Sequence, residues 1–484
     1  MLLAALPAAS LPLRAVGQRS DAKPDESASA PRVPDRTLVQ ISEFVTGLNY
    51  EELSATTVSQ LKSRLLDTLA CGIGAIGEPE IRIVVDSITP TRKGPCTLLG
   101  RSDRASAREA AMLNTSMTRY LDYMDSYVGP KGGGHPSDAF AATLACAELS
   151  DCSTRDLIAA TAVGYEVLGA FADAVGTRER GWDHLVYSGL SMVAAAGKAM
   201  QLSTVQLQNA LSIIAASSNP LRVTRSEQPT MWKGFAAGTT ALCAVNAVIL
   251  AKHGMVGPTR AFEGKGGWKE VIAGGDFQLT FTPGDRIGKV WTKLYLAENY
   301  ALSGVEAAIE LGRAHVIEPE RVKGIQVRTF HDAILNVGAF EGRDPYRVTS
   351  KPEADHSFPY MIAAALLDKQ LSEAQYAKDR IAGADVQALL HKVTLLEDPG
   401  FNKQFVAGGS PTEVVVTMTD GSQYRSARDY FSGHPEKPAD RAQIVEKLRY
   451  LGRTFLTGGR LENLIRTVDT LEDRKLQELT VLLH

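Results

Sequence analysis

Two acids and a histidine frame one glycine-rich stretch, Leu121 to Asp138. Asp122 and Asp125 stand three residues apart, a spacing that on a continuing helix puts both carboxylates on one face. Gly129-Pro130 and the run Gly132 to Gly134 follow; that composition predicts no regular element and lets backbone approach a ligand closely. His135-Pro-Ser-Asp138 closes the stretch, ahead of a buried helix expected over 139–147. A histidine and carboxylates delivered by a loop between apolar helices suit proton transfer. The same residues also suit a surface loop in which Ser137 or Asp138 caps the next helix.

Four further polar segments interrupt apolar runs. Arg180-Gly-Trp-Asp-His184 precedes a small-residue helix and offers an imidazole at its start, either in a cleft or as a capping group. Arg222, Arg225 and Lys233 fall within a dozen residues beside Trp232, a pattern for holding carboxylates or for a solvated charged turn. Lys293 with Tyr295 and Tyr300, and Arg343-Asp344 with Tyr346 through Asp355-His-Ser357, are polar groups with an ordinary surface reading as their alternative. Gly72-Ile-Gly-Ala-Ile-Gly77 has the Gly-x-Gly-x-x-Gly spacing but closes a helix-periodic run instead of following a strand, and a phosphate-binding P-loop and a Gly-x-Ser-x-Gly elbow are missing, which removes the usual support for redox, phosphoryl-transfer and hydrolase chemistry. What remains is proton abstraction beside a carboxylate: cations hold the acid groups, one side chain takes a proton and another protonates a leaving hydroxyl.

The elements that must position these groups divide by texture. Residues 1–36 start apolar, are broken by Pro7 and Pro12, carry Arg14 and Arg19, and hold no acid before Asp21. That composition predicts a disordered targeting segment, mitochondrial in character, with the cytoplasm as the alternative location. Residues 37–273 carry helical periodicity, with capping signals at Ser153 and Ser203 and an alanine-rich helix over 234–253. Residues 274–430 mix helices with strand-like runs at 277–281, 287–296 and 324–330, and with a hairpin whose Asp420-Gly421 predicts a type I′ turn. Residues 431–484 return to helix and are expected to rejoin the first bundle. The fold expected is therefore mainly α, a discontinuous helical bundle domain with a smaller α+β lid. A net charge of −3 points to no nucleic-acid or membrane partner, and five cysteines without a Cys-x-x-Cys pair argue against zinc and iron–sulfur sites.

Taken together, the segments resemble the 2-methylcitrate dehydratase (MmgE/PrpD) family. Arg119-Tyr-Leu-Asp-Tyr-Met-Asp-Ser126 with Gly134-His-Pro-Ser-Asp138 resembles one signature, and Val163-Gly-Tyr-Glu-Val167 with Gly181-Trp-Asp-His184 a second. Leu221-Arg-Val-Thr-Arg225 with Met231-Trp-Lys-Gly234 resembles a third, and Ala354-Asp-His-Ser-Phe-Pro-Tyr360 a fourth. The resemblance implies a homodimer, a site between helical domain and lid, no cofactor or metal, and a small tricarboxylate substrate. The reactions implied are dehydration of 2-methylcitrate or a related alkylcitrate, with cis-aconitate decarboxylation or a non-catalytic relative as alternatives. It carries active-site roles onto Asp122, Ser126, His135, His184 and Lys233; Arg222, Arg225 and Lys293 join them as substrate-binding candidates. The family has a histidine after its Lys-x-Tyr segment, where this chain reads Lys293-Leu-Tyr-Leu-Ala-Glu-Asn-Tyr300-Ala-Leu302, so Tyr300 or Leu302 is expected in its place.

Overall fold

The computed structural model describes residues 34–88, 93–226, 229–338 and 344–484, so the expected targeting segment up to residue 33, and the sequence candidate Arg343, lie outside the described residues. From Asp35 to His484 the chain forms one compact unit.

The first half is helical: α1 (Arg36–Gly47), α2 (Ala55–Gly74), α3 (Pro79–Ile88), α4 (Ala107–Tyr120), α5 (Phe140–Ser150), α6 (Thr154–Ala174), α7 (Leu185–Ala199), α8 (Thr204–Ser217) and α9 (Trp232–Lys252). Capping chemistry sets several starts. Ser106 and Glu109 cap α4 reciprocally, Ser203 and Gln206 do the same for α8, and Ser153 caps α6 through the Asp156 amide. α4 packs along α9, and α6 along α7, with α7 also against α9. Small residues permit that approach: a Cβ at Gly238 of α9 would lie 2.1 Å from Ser116 Oγ and 2.6 Å from the Met112 carbonyl oxygen of α4. α6 and α9 are long and apolar enough to cross a membrane, yet 83% and 61% of their apolar windows are buried within the fold, as core helices are.

In the second half, β6 (Val322–Thr329) pairs in parallel with β7 (Val393–Glu397) and antiparallel with β8 (Thr412–Met418), which continues into β9 (Gln423–Arg428); the sheet order is β7-β6-β8-β9. The helices Leu302–Ala314 and Phe358–Asp368 pack together beside it. Earlier in the chain β1 (Cys96–Leu98) pairs with β2 (Arg101–Ala105), and β3 (Ser126–Val128) is flanked by β4 (Gly133–Gly134) and β5 (Val290–Trp291) in a sheet of order β4-β3-β5. The helices Arg441–Leu451 and Arg460–Asp469 then return to pack on α2.

Several local expectations are corrected. Residues 277–281 form no strand, and within 287–296 only Val290–Trp291 does. Their aromatic residues serve the bundle instead: Phe281 stacks on Phe44 at 4.5 Å, and Phe277 packs against Phe171 and Trp268. The 420–421 hairpin is present, but only Gly421 has positive φ (+88°), so the turn is not type I′, which requires two such residues. The glycine run is also partly regular, since Gly133–Gly134 is paired strand.

Candidate active site

α4 ends at Tyr120, and Asp122 adopts a left-handed backbone, φ +54°. The helix therefore stops before Asp125, and the two acids do not share a face. Asp125 is buried away from the cavity, accepting the Tyr165 hydroxyl at 2.6 Å and the Ser137 amide at 3.2 Å; burial raises its pKa. Asp122 instead gathers cations. Its Oδ2 accepts Lys233 Nζ at 2.9 Å, and its Oδ1 accepts Lys293 Nζ at 3.2 Å and Arg119 Nη1 at 3.3 Å. Burial opposes its ionisation, but Lys233, Lys293 and Arg119 together hold the carboxyl well below the usual carboxylate range. Lys293 Nζ also donates to the Asp122 carbonyl at 2.7 Å, and Lys233 Nζ reaches Asp355 at 3.3 Å and His356 Nδ1 at 3.0 Å.

Two imidazoles face one another, His135 and His184, with ring centroids 5.3 Å apart. β3 and β4 fix the first. His135 Nδ1 lies 2.6 Å from the Asp125 carbonyl oxygen, which can only accept, so Nδ1 carries the proton and Nε2 keeps its lone pair. Ser126 also touches Nδ1, at 3.0 Å, and donates its hydroxyl to Asn299 Oδ1 at 2.8 Å. Ser126 thus sits behind His135 rather than in the cavity wall. His184 immediately precedes α7, with Nδ1 3.3 Å from Asp183 Oδ1 and a buried Nε2 that has no hydrogen-bond partner among the described residues. Burial, then the cations Arg119 and Lys293 and the neighbouring His184, keeps His135 well below the usual imidazole range. Burial also brings His184 down to about 3 against the opposing Asp183 charge, with Arg225, Arg119 and Arg222 adding to it. Both rings are therefore neutral at physiological pH, the form that accepts a proton.

Asp183 ties the second histidine to the arginine segment: its Oδ2 accepts Arg225 Nε at 2.8 Å, and Trp182 pairs with Leu221 through the backbone. Arg222, Arg225, Lys233, Lys293, Asp122, His135, His184 and Tyr300 all line one cavity of about 490 Å³. Seven lining side chains are Lys or Arg and three are Asp or Glu, a formal excess of 7 − 3 = +4 that favours a multiply charged anion. Tyr300 lies in an aromatic wall, edge-on to Trp291 at 6.2 Å and to Phe405 at 5.5 Å, while Leu302 is fully buried in the core. Of the two candidates for the missing histidine's place, only Tyr300 reaches the cavity. Among the described residues no group of three or more His, Cys, Asp or Glu side chains is placed to hold a metal ion.

No role was expected for Arg119, Glu298 or Asn299, which line the cavity; His356, in the fourth polar segment where a surface role was the alternative, lines it too. Arg119 stands in the last turn of α4, one residue into the quoted signature, and its position was a usable signal. His356 is brought down to about 4 by burial and by Lys233, against Asp355.

The MmgE/PrpD N-terminal domain profile matches residues 39–280 and the C-terminal domain profile residues 295–473. The chain belongs to the MmgE/PrpD family. It is similar to the 2-methylcitrate dehydratase of Salmonella typhi, 26% identical over 449 residues, covering 87% of this chain and 91% of that one. It is equally similar, at 26% identity over 92% of both chains, to an alkylcitrate dehydratase of a fungal species. A mouse cis-aconitate decarboxylase is 25% identical over 91% of each chain.

Proposed function

We propose that the protein is a carbon–oxygen lyase that dehydrates 2-methylcitrate or a related alkylcitrate without a cofactor. The observation that carries this reading is the convergence of two neutral imidazoles with Arg119, Arg222, Arg225, Lys233 and Lys293 in one cavity. The cations hold the substrate's carboxylates and stabilise charge on the carbon losing its proton. His135 Nε2, whose tautomer is set by the Asp125 carbonyl, takes that proton. The aromatic wall of Trp291, Tyr300 and Phe405 gives an alkyl substituent an apolar surface, which supports substrates beyond the methyl homologue. The similar dehydratases support elimination, while the decarboxylase makes loss of carbon dioxide the competing outcome.

The test is a panel of citrates with growing alkyl chains, and cis-aconitate, offered to chelator-treated protein while unsaturated acid and carbon dioxide are both measured. Carbon dioxide without new unsaturated tricarboxylate refutes the dehydratase reading. The working unit in this proposal is a homodimer, supported by Leu221, Val223, Met231 and Trp232, which stand exposed beside the arginine segment. Light scattering that gives a monomer at assay concentration removes it.

A further inference from the structure

Elimination of water needs an acid as well as a base, and all three histidines of the cavity, His135, His184 and His356, are held neutral, poor stores of a proton to give. Asp122 is committed to three cations as an anion. Tyr300 is pushed away from proton release chiefly by burial.

Glu298 has a different setting. It heads the short turn Asn299–Ala301, and one oxygen, Oε2, accepts the Tyr300 amide at 2.8 Å. Its second oxygen has no partner among the described residues, and the side chain lines the cavity beside Lys293. The next residue, Asn299, accepts from Ser126, which in turn touches His135 Nδ1. Two hydrogen bonds through Ser126 therefore tie the residue next to Glu298 to the proposed base.

We propose that Glu298 is the general acid of the reaction, protonating the departing hydroxyl while His135 removes the neighbouring carbon-bound proton. This rests on the dehydratase reading. The C–H pair becomes the new C=C bond, and the C–O pair leaves with the hydroxyl. That hydroxyl takes the Glu298 proton and departs as water. His135 is left as imidazolium and Glu298 as carboxylate, and solvent carries the proton from one to the other after release. Burial favours the protonated carboxyl over the opposing pull of Lys293 and Lys233, with Asp122 adding to the effect. A neutral carboxylic acid also avoids repelling the substrate's own carboxylates, which a second ionised acid would do.

Glu298→Gln separates this role from the turn-capping one, because an amide oxygen still accepts the Tyr300 amide but the group transfers no proton. The expected result is an unchanged thermal midpoint, a kcat lower by ~10²- to 10⁴-fold with KM moved only a few-fold, and loss of the alkaline limb of kcat/KM. Glu298→Asp recovers part of kcat. A Gln variant that keeps most of kcat, or keeps the alkaline limb, overturns the proposal. Should the wild type turn over no alkylcitrate, the dehydratase reading has failed instead. Binding of the unreactive propane-1,2,3-tricarboxylate, followed by calorimetry in two buffers at each of several pH values from acid to alkaline, then decides Glu298. Proton uptake by the wild type that Glu298→Gln abolishes upholds a proton-carrying Glu298; equal uptake by both overturns it.

Discussion

Lys447 reaches the site from the helix Arg441–Leu451, nearly at the far end of the chain, and its removal is a sharp test of how the cavity is held. Its Nζ is buried and donates to Asp67 Oδ1 of α2 at 2.7 Å, to the Tyr123 carbonyl at 2.6 Å and to the Lys293 carbonyl at 3.0 Å. It also lies 3.9 Å from the centre of the Tyr123 ring. Tyr123 follows Asp122 directly, so one ammonium group clamps the two strands of backbone that bring Asp122 and Lys293 together. Lys447→Met fills much of the volume but strands the Asp67 carboxylate, whose side chain is 1% exposed, and two carbonyls. Removing one partner of a buried ion pair costs ~3–5 kcal/mol. That is a large share of the ~5–15 kcal/mol that holds a typical protein folded. At ~4 kcal/mol the unfolding equilibrium shifts by ~10³-fold.

Denaturant unfolding measures the loss, and the double variant Lys447→Met/Asp67→Asn identifies its source. If the stranded charge dominates, the double variant is more stable than Lys447→Met alone, and the residual activity of both falls because Asp122 and Lys293 are less well fixed. A single variant within ~0.5 kcal/mol of the wild type refutes the clamp, since that is the scatter expected of an inconsequential surface change. A double variant no more stable than the single one refutes the charge argument while leaving the packing one.

Four other outcomes are expected. Lys233→Ala removes a charged donor from the cavity and lowers kcat/KM by ~10- to 150-fold, the equivalent of a charged hydrogen bond worth ~1.5–3 kcal/mol; steady-state assay with the best alkylcitrate checks it. Gly238→Ala places a methyl group against the Met112 carbonyl, a backbone atom that cannot swing aside, and lowers stability by ~1–3 kcal/mol in thermal unfolding. The depressed histidines set an acid limit: His184 titrates near about 3 and His356 near about 4 in the fold, against 6.5 for free imidazole. The unfolded chain therefore takes up those protons first, so their support for the fold is complete above pH 6.5 and is lost as pH falls toward 4 and 3, visible as a falling unfolding midpoint. Asp138 works in the opposite sense. Burial pushes it up to about 7 and neither carboxylate oxygen has a partner among the described residues, so its protonated form supports the fold and that support is lost as pH rises through about 7. Asp138→Asn accordingly raises the midpoint near neutral pH and gives no gain near pH 3.8, where the acid is protonated in either state.

The helical bundle and the residues of the four signatures were legible because each depends on local pattern: caps at Ser153 and Ser203, apolar periodicity, and polar clusters interrupting it. His135, His184, Lys233, Lys293 and both arginines do meet in one cavity. Where reading failed, the deciding contact was distant or the backbone unusual. Asp122 and Asp125 part company because Asp122 turns left-handed, which helical spacing cannot foresee. The aromatic residues near Phe277 and Phe281 carry strand-like composition but pack against helices over a hundred residues away. Glu298 lines the cavity although no short-range signal marks it, whereas His356 stood in the fourth signature and meets Lys233 of α9 only through the fold.

The three-stranded sheet β4-β3-β5 welds the glycine loop to Trp291 by backbone pairing. A hinge there would have to break that pairing; further along the same aromatic wall the helix Pro399–Val406 lines the cavity with Phe405 and a largely exposed Val406, so the cavity opens to solvent beside Val406. Appetite for longer or shorter side arms can then be retuned at that doorway while the proton-handling groups stay untouched. Swapping Val406 for a bulky residue should reorder the preferred homologues, and an unaltered ranking would place the entrance elsewhere.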